Sequence, residues 1–215
     1  MKVSLKKSFK LGLTRIEVIF LLAGIAVCFF SYLWSSQVRV PLRAQRNTCL
    51  NNIKQIGLAF RIYSNDHEER FPWAVPIAST GSLEFALSPQ VYRHFLIASN
   101  ELGSARILKC PNDRKRGQVA DWNRLANKNV SYFVGLNARE SEPNMLLSGD
   151  RNITGGTLSN GFLRTLATNS VAGWTSEIHN DAGNVGFADG SAQQLTSTDL
   201  QRHLQSTNIS LLAIP

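Results

Sequence analysis

The sequence predicts an α+β chain: a long N-terminal helix over residues 13–65, then a domain over 66–215 built on a small antiparallel sheet. Three features carry that expectation. Val18 to Trp34 runs without a charged side chain. Leu42 to Asn65 sets Leu50, Ile53, Ile56, Gly57, Ala59 and Phe60 at three- and four-residue steps, with Lys54 and Arg61 elsewhere, the pattern of one apolar helical face. Beyond it come short β-rich runs separated by turn residues, closing on Asp189-Gly190 between two strand-like arms.

The N-terminal element begins behind a leader, residues 1–12, that carries Lys2, Lys6, Lys7 and Lys10 and no acidic residue. From Leu13 to Trp34 a helix would rise roughly 33 Å at about 1.5 Å per residue, enough for a bilayer core, so 13–36 is read as membrane-spanning. An ordinary cleaved secretory signal is excluded, because Leu33-Trp34-Ser35-Ser36 puts large residues where a small one is needed. Glu17 stands at the edge of the apolar run, where a charge costs up to about 3 kcal/mol and tends to mark function. A plain anchor with Glu17 reaching the head groups is the simpler alternative.

The order Gly12-Leu13-Thr14-Arg15-Ile16-Glu17 resembles the prepilin-type cleavage and methylation motif of type IV pilins and type II secretion pseudopilins. The resemblance implies a cut by prepilin peptidase between Gly12 and Leu13, methylation of the new Leu13 amine, and Glu17 as the fifth mature residue. Arg15 departs from the motif, which usually has an apolar residue there. Basic residues flank both ends of the span, with Arg39, Arg43 and Arg46 beyond it. Charge alone therefore leaves orientation open, and a cytoplasmic N-terminus with an extracytoplasmic domain follows from the resemblance.

The 215 residues suit one membrane helix and one domain with its own core. The formal charge is +8, but without the leader 19 basic residues face 15 acidic ones, or +4. With no nucleic-acid motif present, that balance reads as targeting plus a solvated surface, and no nucleic-acid partner is expected. Of three cysteines, Cys28 lies in the apolar run. Cys49 and Cys110 would lie in an oxidising compartment, where a disulfide between them is expected, two unpaired thiols being the alternative.

Along the domain, Val40-Pro41 is expected to kink the long helix, and Phe71-Pro72 to begin an extended segment. Ser88-Pro89 predicts a helix running to Leu102 and stopped by Gly103. Ile107 to Cys110 reads as a short strand, and 112–128, with Arg114-Lys115-Arg116, as a surface loop. Strands are expected at Val130–Val134, Met145–Leu147 and Val171–Trp174, with turns at Gly155-Gly156 and Ser159–Gly161. Val185–Ala188 and Ser191–Leu195 predict a hairpin through a two-residue mirror-image turn at Asp189-Gly190. Thr198 and Gln201 suggest a capping box for a last helix.

Nine residues separate His179 from Asp189-Gly190, which resembles the His-x9-Asp-Gly signature near the C-terminus of many prepilin-like proteins. Cys49 to Gln55 and Cys110-Pro111-Asn112-Asp113 extend that resemblance over most of the chain. It implies a pilin-like fold, with a long N-terminal helix and a small antiparallel sheet. Secretion-type pseudopilins often hold calcium in a C-terminal loop, which makes His179, Asp181 and Asp189 candidate ligands. Calcium prefers oxygen ligands, and one histidine with two carboxylates is thin for zinc. His179 is expected to hold its loop by hydrogen bonds and Asp189 its turn, with no metal and no cofactor.

Ser148–Asn152 and His179 contain side chains that a hydrolase uses. No Gly-x-Ser-x-Gly elbow, phosphate loop or His-Glu-x-x-His accompanies them, so a non-catalytic chain is expected. The reading is a structural pseudopilin-like subunit in the cytoplasmic membrane, partnered by prepilin peptidase, other pseudopilin subunits and the lipid bilayer. A monomeric membrane-anchored binding domain that uses the signal only for processing is the alternative.

Overall fold

The computed structural model describes residues 14–35, 42–207 and 209–215, with side chains in the first helix described as far as Ser31. The leader, the Gly12–Leu13 cleavage site and the Val40-Pro41 kink lie outside the described residues. Helix α1 (Arg15–Ser35) and helix α2 (Leu42–Asn65) occupy the region expected to be one helix. They belong to two separate compact units, the second running from Leu42 to Pro215.

Helix α1 starts on a device the sequence also spells, Thr14-x-x-Glu17. The Thr14 N–H donates to Glu17 Oε2 at 2.8 Å and the Glu17 N–H to Thr14 Oγ1 at 3.4 Å, the reciprocal hold of a capping box. Behind it Ile16, Ile19, Phe20, Leu22, Val27 and Phe30 are all more than half exposed, so no single face of α1 is apolar. Among the described residues no helix is long and apolar enough to cross a membrane. The expected span over 13–36 is therefore not reproduced within them, and its two ends lie outside.

In the domain, α2 buries Cys49, Ile53, Ile56, Phe60 and Tyr63, a stripe that follows the three- and four-residue steps of the sequence. It lies on a seven-stranded antiparallel sheet, much larger than expected. The strands are β1 (Tyr132–Gly135), β2 (Leu146–Asp150), β4 (Thr157–Ser159), β5 (Leu163–Leu166), β7 (Ala182–Phe187), β8 (Ala192–Thr196) and β9 (Ser210–Ala213), in the order β4-β5-β9-β1-β2-β7-β8. Strands β3 (Ile153–Thr154) and β6 (Gly173–Trp174) pair separately. Alternation along each strand divides the core in two. Tyr132, Val134 and Leu147 join the α2 side, while Phe133, Leu146 and Val185 join a second cluster with Leu200 and Leu204 of α6 (Ser197–Gln205).

Several local expectations need correction. The helix from Ser88 to Leu102 is two short ones, α3 (Tyr92–Ile97) and α4 (Ser99–Leu102). Ser88 Oγ accepts the Gln90 N–H outside both. The strand expected at Ile107–Cys110 is a 3-10 turn, Ala105–Leu108, because Ser104 Oγ caps it through the Arg106 N–H. Phe71-Pro72 leads not into extended chain but into a 3-10 turn, with proline at its first position. The box that starts α6 is Thr196 with Asp199, and Gln201 instead donates to the Ala172 carbonyl.

The hairpin turn differs as well. Phe187 and Ser191 face each other, leaving Ala188, Asp189 and Gly190 as a three-residue connection in which Gly190 alone has positive φ, at 84°. That is the form whose last residue is left-handed. It spares Asp189, whereas a mirror-image pair would force positive φ on both Asp189 and Gly190. Asp189 Oδ1 accepts the Ser191 N–H at 2.8 Å.

Candidate functional site

Four segments converge below the first turns of α2. The turn Cys110-Pro111-Asn112-Asp113 is closed by the Asp113 N–H on the Cys110 carbonyl at 3.0 Å, and it sends three side chains to three partners. Cys110 is joined to Cys49 of α2 by a disulfide. Asn112 Nδ2 lies 3.2 Å from His179 Nδ1. Asp113 takes Arg151 on both oxygens, at 2.7 and 2.8 Å.

His179 arrives from α5 (Ser176–His179), which ends on Asn180 and Asp181, both left-handed with φ of 52° and 58°. Those residue types adopt that region at the lowest cost after glycine. The imidazole is buried, with Nε2 3.5 Å from Cys110 Sγ and 3.4 Å from Asp150 Oδ2. Asp150, at the end of β2, is fully buried. Its Oδ2 accepts the Asn184 backbone and side-chain N–H groups at 2.7 and 2.9 Å, while Oδ1 has no partner among the described residues.

Electrostatics separates these two groups. Burial pushes the Asp150 carboxyl up to about 7, against the two Asn184 hydrogen bonds, with Asp113 adding to the rise. Burial, reinforced by the Arg46 charge, pulls His179 down to about 4. Near neutral pH the imidazole is uncharged, and 3.4 Å is longer than the roughly 2.7–2.9 Å of a charge-assisted bond. The two are therefore neighbours and not an ion pair. Arg46 of α2 donates to the His179 carbonyl. His179, Asn112, Arg46 and Arg43 line a cleft of about 350 Å³ that opens to solvent.

Beside this cluster lies a true ion network. Arg151, its side chain only 10% exposed, bridges buried Asp113 and Glu177, whose side chain is 26% exposed and which Lys115 also reaches at 3.4 Å. Burial works against the Asp113 charge, but the Arg151 fork outweighs it and holds the carboxyl below its ordinary range. The segment read as a polar surface loop thus begins with a buried carboxylate.

His179 and Asp189-Gly190 are not brought together. They stand beyond opposite ends of β7, yet both meet α2. At one end are Arg46 and the disulfide. At the other, Arg61 Nη1 donates to the Asp189 carbonyl at 2.5 Å, and Gly190 packs on Gly57, whose Cβ, if present, would sit 3.6 Å from Gly190 Cα. The nine-residue spacing measures two attachment points along one helix. Asp181 and Asp189 are exposed and join no ligand cluster. The group that is gathered among the described residues is Cys49, Cys110 and His179.

Gly190→Val should lower stability by about 1–3 kcal/mol, since a β-branched residue is strained at positive φ and its Cβ would lie 3.2 Å from Arg61 Cδ. Asp189→Asn keeps an oxygen for the Ser191 N–H and should change little. Urea unfolding of both variants checks this, and equal losses would count against the turn.

Asp150, Asn112, Asp113 and Arg151 were missed as site residues. Cys110-Pro111-Asn112-Asp113 was visible as a motif, but nothing local told which side chains turn inward. No protein-family model matches the chain, and no curated protein or solved structure matches it.

Proposed function

We propose that the chain is a structural subunit of a pseudopilin-like assembly, processed at Gly12–Leu13 and anchored in the cytoplasmic membrane through its N-terminal helix, with the domain on the far side. The observation that carries this reading is α1, whose apolar side chains are exposed around the helix ahead of a domain with a closed core. Apolar surface on that scale calls for lipid or for neighbouring copies of the helix. An amphipathic α2 backed by an antiparallel sheet agrees with the pilin layout that the sequence motif implies.

In such an assembly Glu17 would neutralise the charged amino terminus of a neighbour, since opposite charges in a low-dielectric core cost less paired than alone. The capping box supports a second role for Glu17, within its own chain. Intact mass of the membrane-extracted chain tests processing, with a Leu13 start and one added methyl expected. Retention of Met1, or a cut beyond Trp34, counts against it. Glu17→Gln then separates the two roles, because glutamine keeps the cap and loses the charge. Crosslinked multimers should disappear in Glu17→Gln, and an unchanged ladder leaves capping as the sole role.

A further inference from the structure

We propose that Cys49, Cys110, His179 and Asp150 form a tetrahedral zinc site when the two cysteines are thiols, so that one cluster holds either a metal or a disulfide. The distances carry the inference. Zinc bonds of about 2.3 Å to sulfur and about 2.0–2.1 Å to nitrogen and oxygen, at tetrahedral angles, set S···N near 3.5 Å and N···O near 3.4 Å. Cys110 Sγ lies 3.5 Å from His179 Nε2, and Asp150 Oδ2 lies 3.4 Å from the same nitrogen. Both partners converge on Nε2. In a hydrolytic triad they would be divided between the two ring nitrogens, and the sulfurs here are buried away from any substrate. Asp150 lies outside the group whose ligand atoms are already gathered, Cys49, Cys110 and His179, so binding must draw its carboxylate in as well as open the sulfur pair to about 3.8 Å by the same geometry.

The surroundings match a metal centre. Asn184 already orients the Asp150 carboxylate through two N–H groups, as outer-shell residues do for ligands. Asn112 Oδ1 is buried and unpartnered among the described residues. Turning that amide over would set Oδ1 on the Nδ1–H of His179 and leave Nε2 its lone pair for the ion. Two thiolates and one carboxylate around Zn²⁺ leave one negative charge, and Arg46 stands beside it. The cleft lined by His179 and Asn112 gives the ion a route in. Zinc displaces two thiol protons on binding. Oxidation forms the S–S bond, passes two electrons to a disulfide-bearing acceptor and expels the ion.

The test uses the full chain in detergent, with Cys28→Ser so that Cys49 and Cys110 are the only thiols. One sample stays oxidised. The other is opened by a phosphine, which becomes its oxide with oxygen from water. Each is loaded with Co²⁺ or Zn²⁺ and desalted. The reduced chain should keep one metal ion and, with cobalt, show thiolate charge transfer and intense tetrahedral d–d bands, while the oxidised chain keeps none. His179→Gln and Asp150→Asn should each weaken zinc binding at least tenfold. Failure of the reduced parent to keep metal, or an octahedral cobalt spectrum, overturns the site without reference to any variant. Unchanged affinity in the folded double variant would overturn it too, assigning the metal to the thiols alone.

Discussion

Asp113→Ala is expected to destabilise the domain by about 3–5 kcal/mol, the cost of leaving a buried charge without its partner. Asp113 is fully buried, and Arg151 reaches it with Nε and Nη2 from a side chain only 10% exposed. Without the carboxylate, the guanidinium stays desolvated with only Glu177 beside it. Asp113→Leu combined with Arg151→Met should lose far less than the two single losses summed, because no charge is then stranded. Denaturant unfolding of the four proteins measures the coupling, and additive losses would remove the pair from the account. The pH dependence has a definite sign. The Asp113 carboxyl sits below its ordinary value when folded, so its contribution is complete above about pH 4 and is lost as the pH falls through the folded value. The gap between parent and Asp113→Ala should therefore narrow in acid.

Cys110→Ala should cost about 4 kcal/mol. The disulfide closes a loop over a sequence separation of 61, and the entropy that such a link removes from the unfolded chain amounts to about that. Cys49→Ala should cost a similar amount, and Cys28→Ser, in the other unit, nothing in the domain's unfolding. Losses below about 1 kcal/mol for both would mean that the link constrains the unfolded chain far less than its loop length implies. Both variants should also fail to keep zinc in reductant, which ties this measurement to the metal site without depending on it.

The α+β class and the buried stripe of α2 were legible, because the spacing of Ile53, Ile56 and Phe60 is a local property of the chain. The β7–β8 arms were legible for the same reason. The size of the sheet was not. Ser210–Ala213 becomes a strand only because it finds Leu163–Leu166 on one side and β1 on the other, and no short window contains that information. Local signals also misplaced caps. Thr198 and Thr196 are both followed three residues later by a suitable partner, and position in the fold chose Thr196. At the site, His179 was visible as half of a spaced motif. Asp150 was visible only as part of a polar run, since its importance comes from α5 delivering His179 against it. The Thr14–Glu17 box was readable but stood behind the prepilin motif that uses the same glutamate.

The position of β9 sets an order of events. It lies between β5 and β1 and is hydrogen-bonded to both, so β4-β5 on one side and β1-β2-β7-β8 on the other have no contact within the sheet until residues 210–213 are present. A chain emerging from its N-terminus, whether from a ribosome or through a membrane, can form α2 early but cannot join the two halves of its sheet until residues 210–213 have emerged. Until then two strand edges stand open to pair with other chains. The sheet is thus completed in one late step, when β9 enters between its two halves.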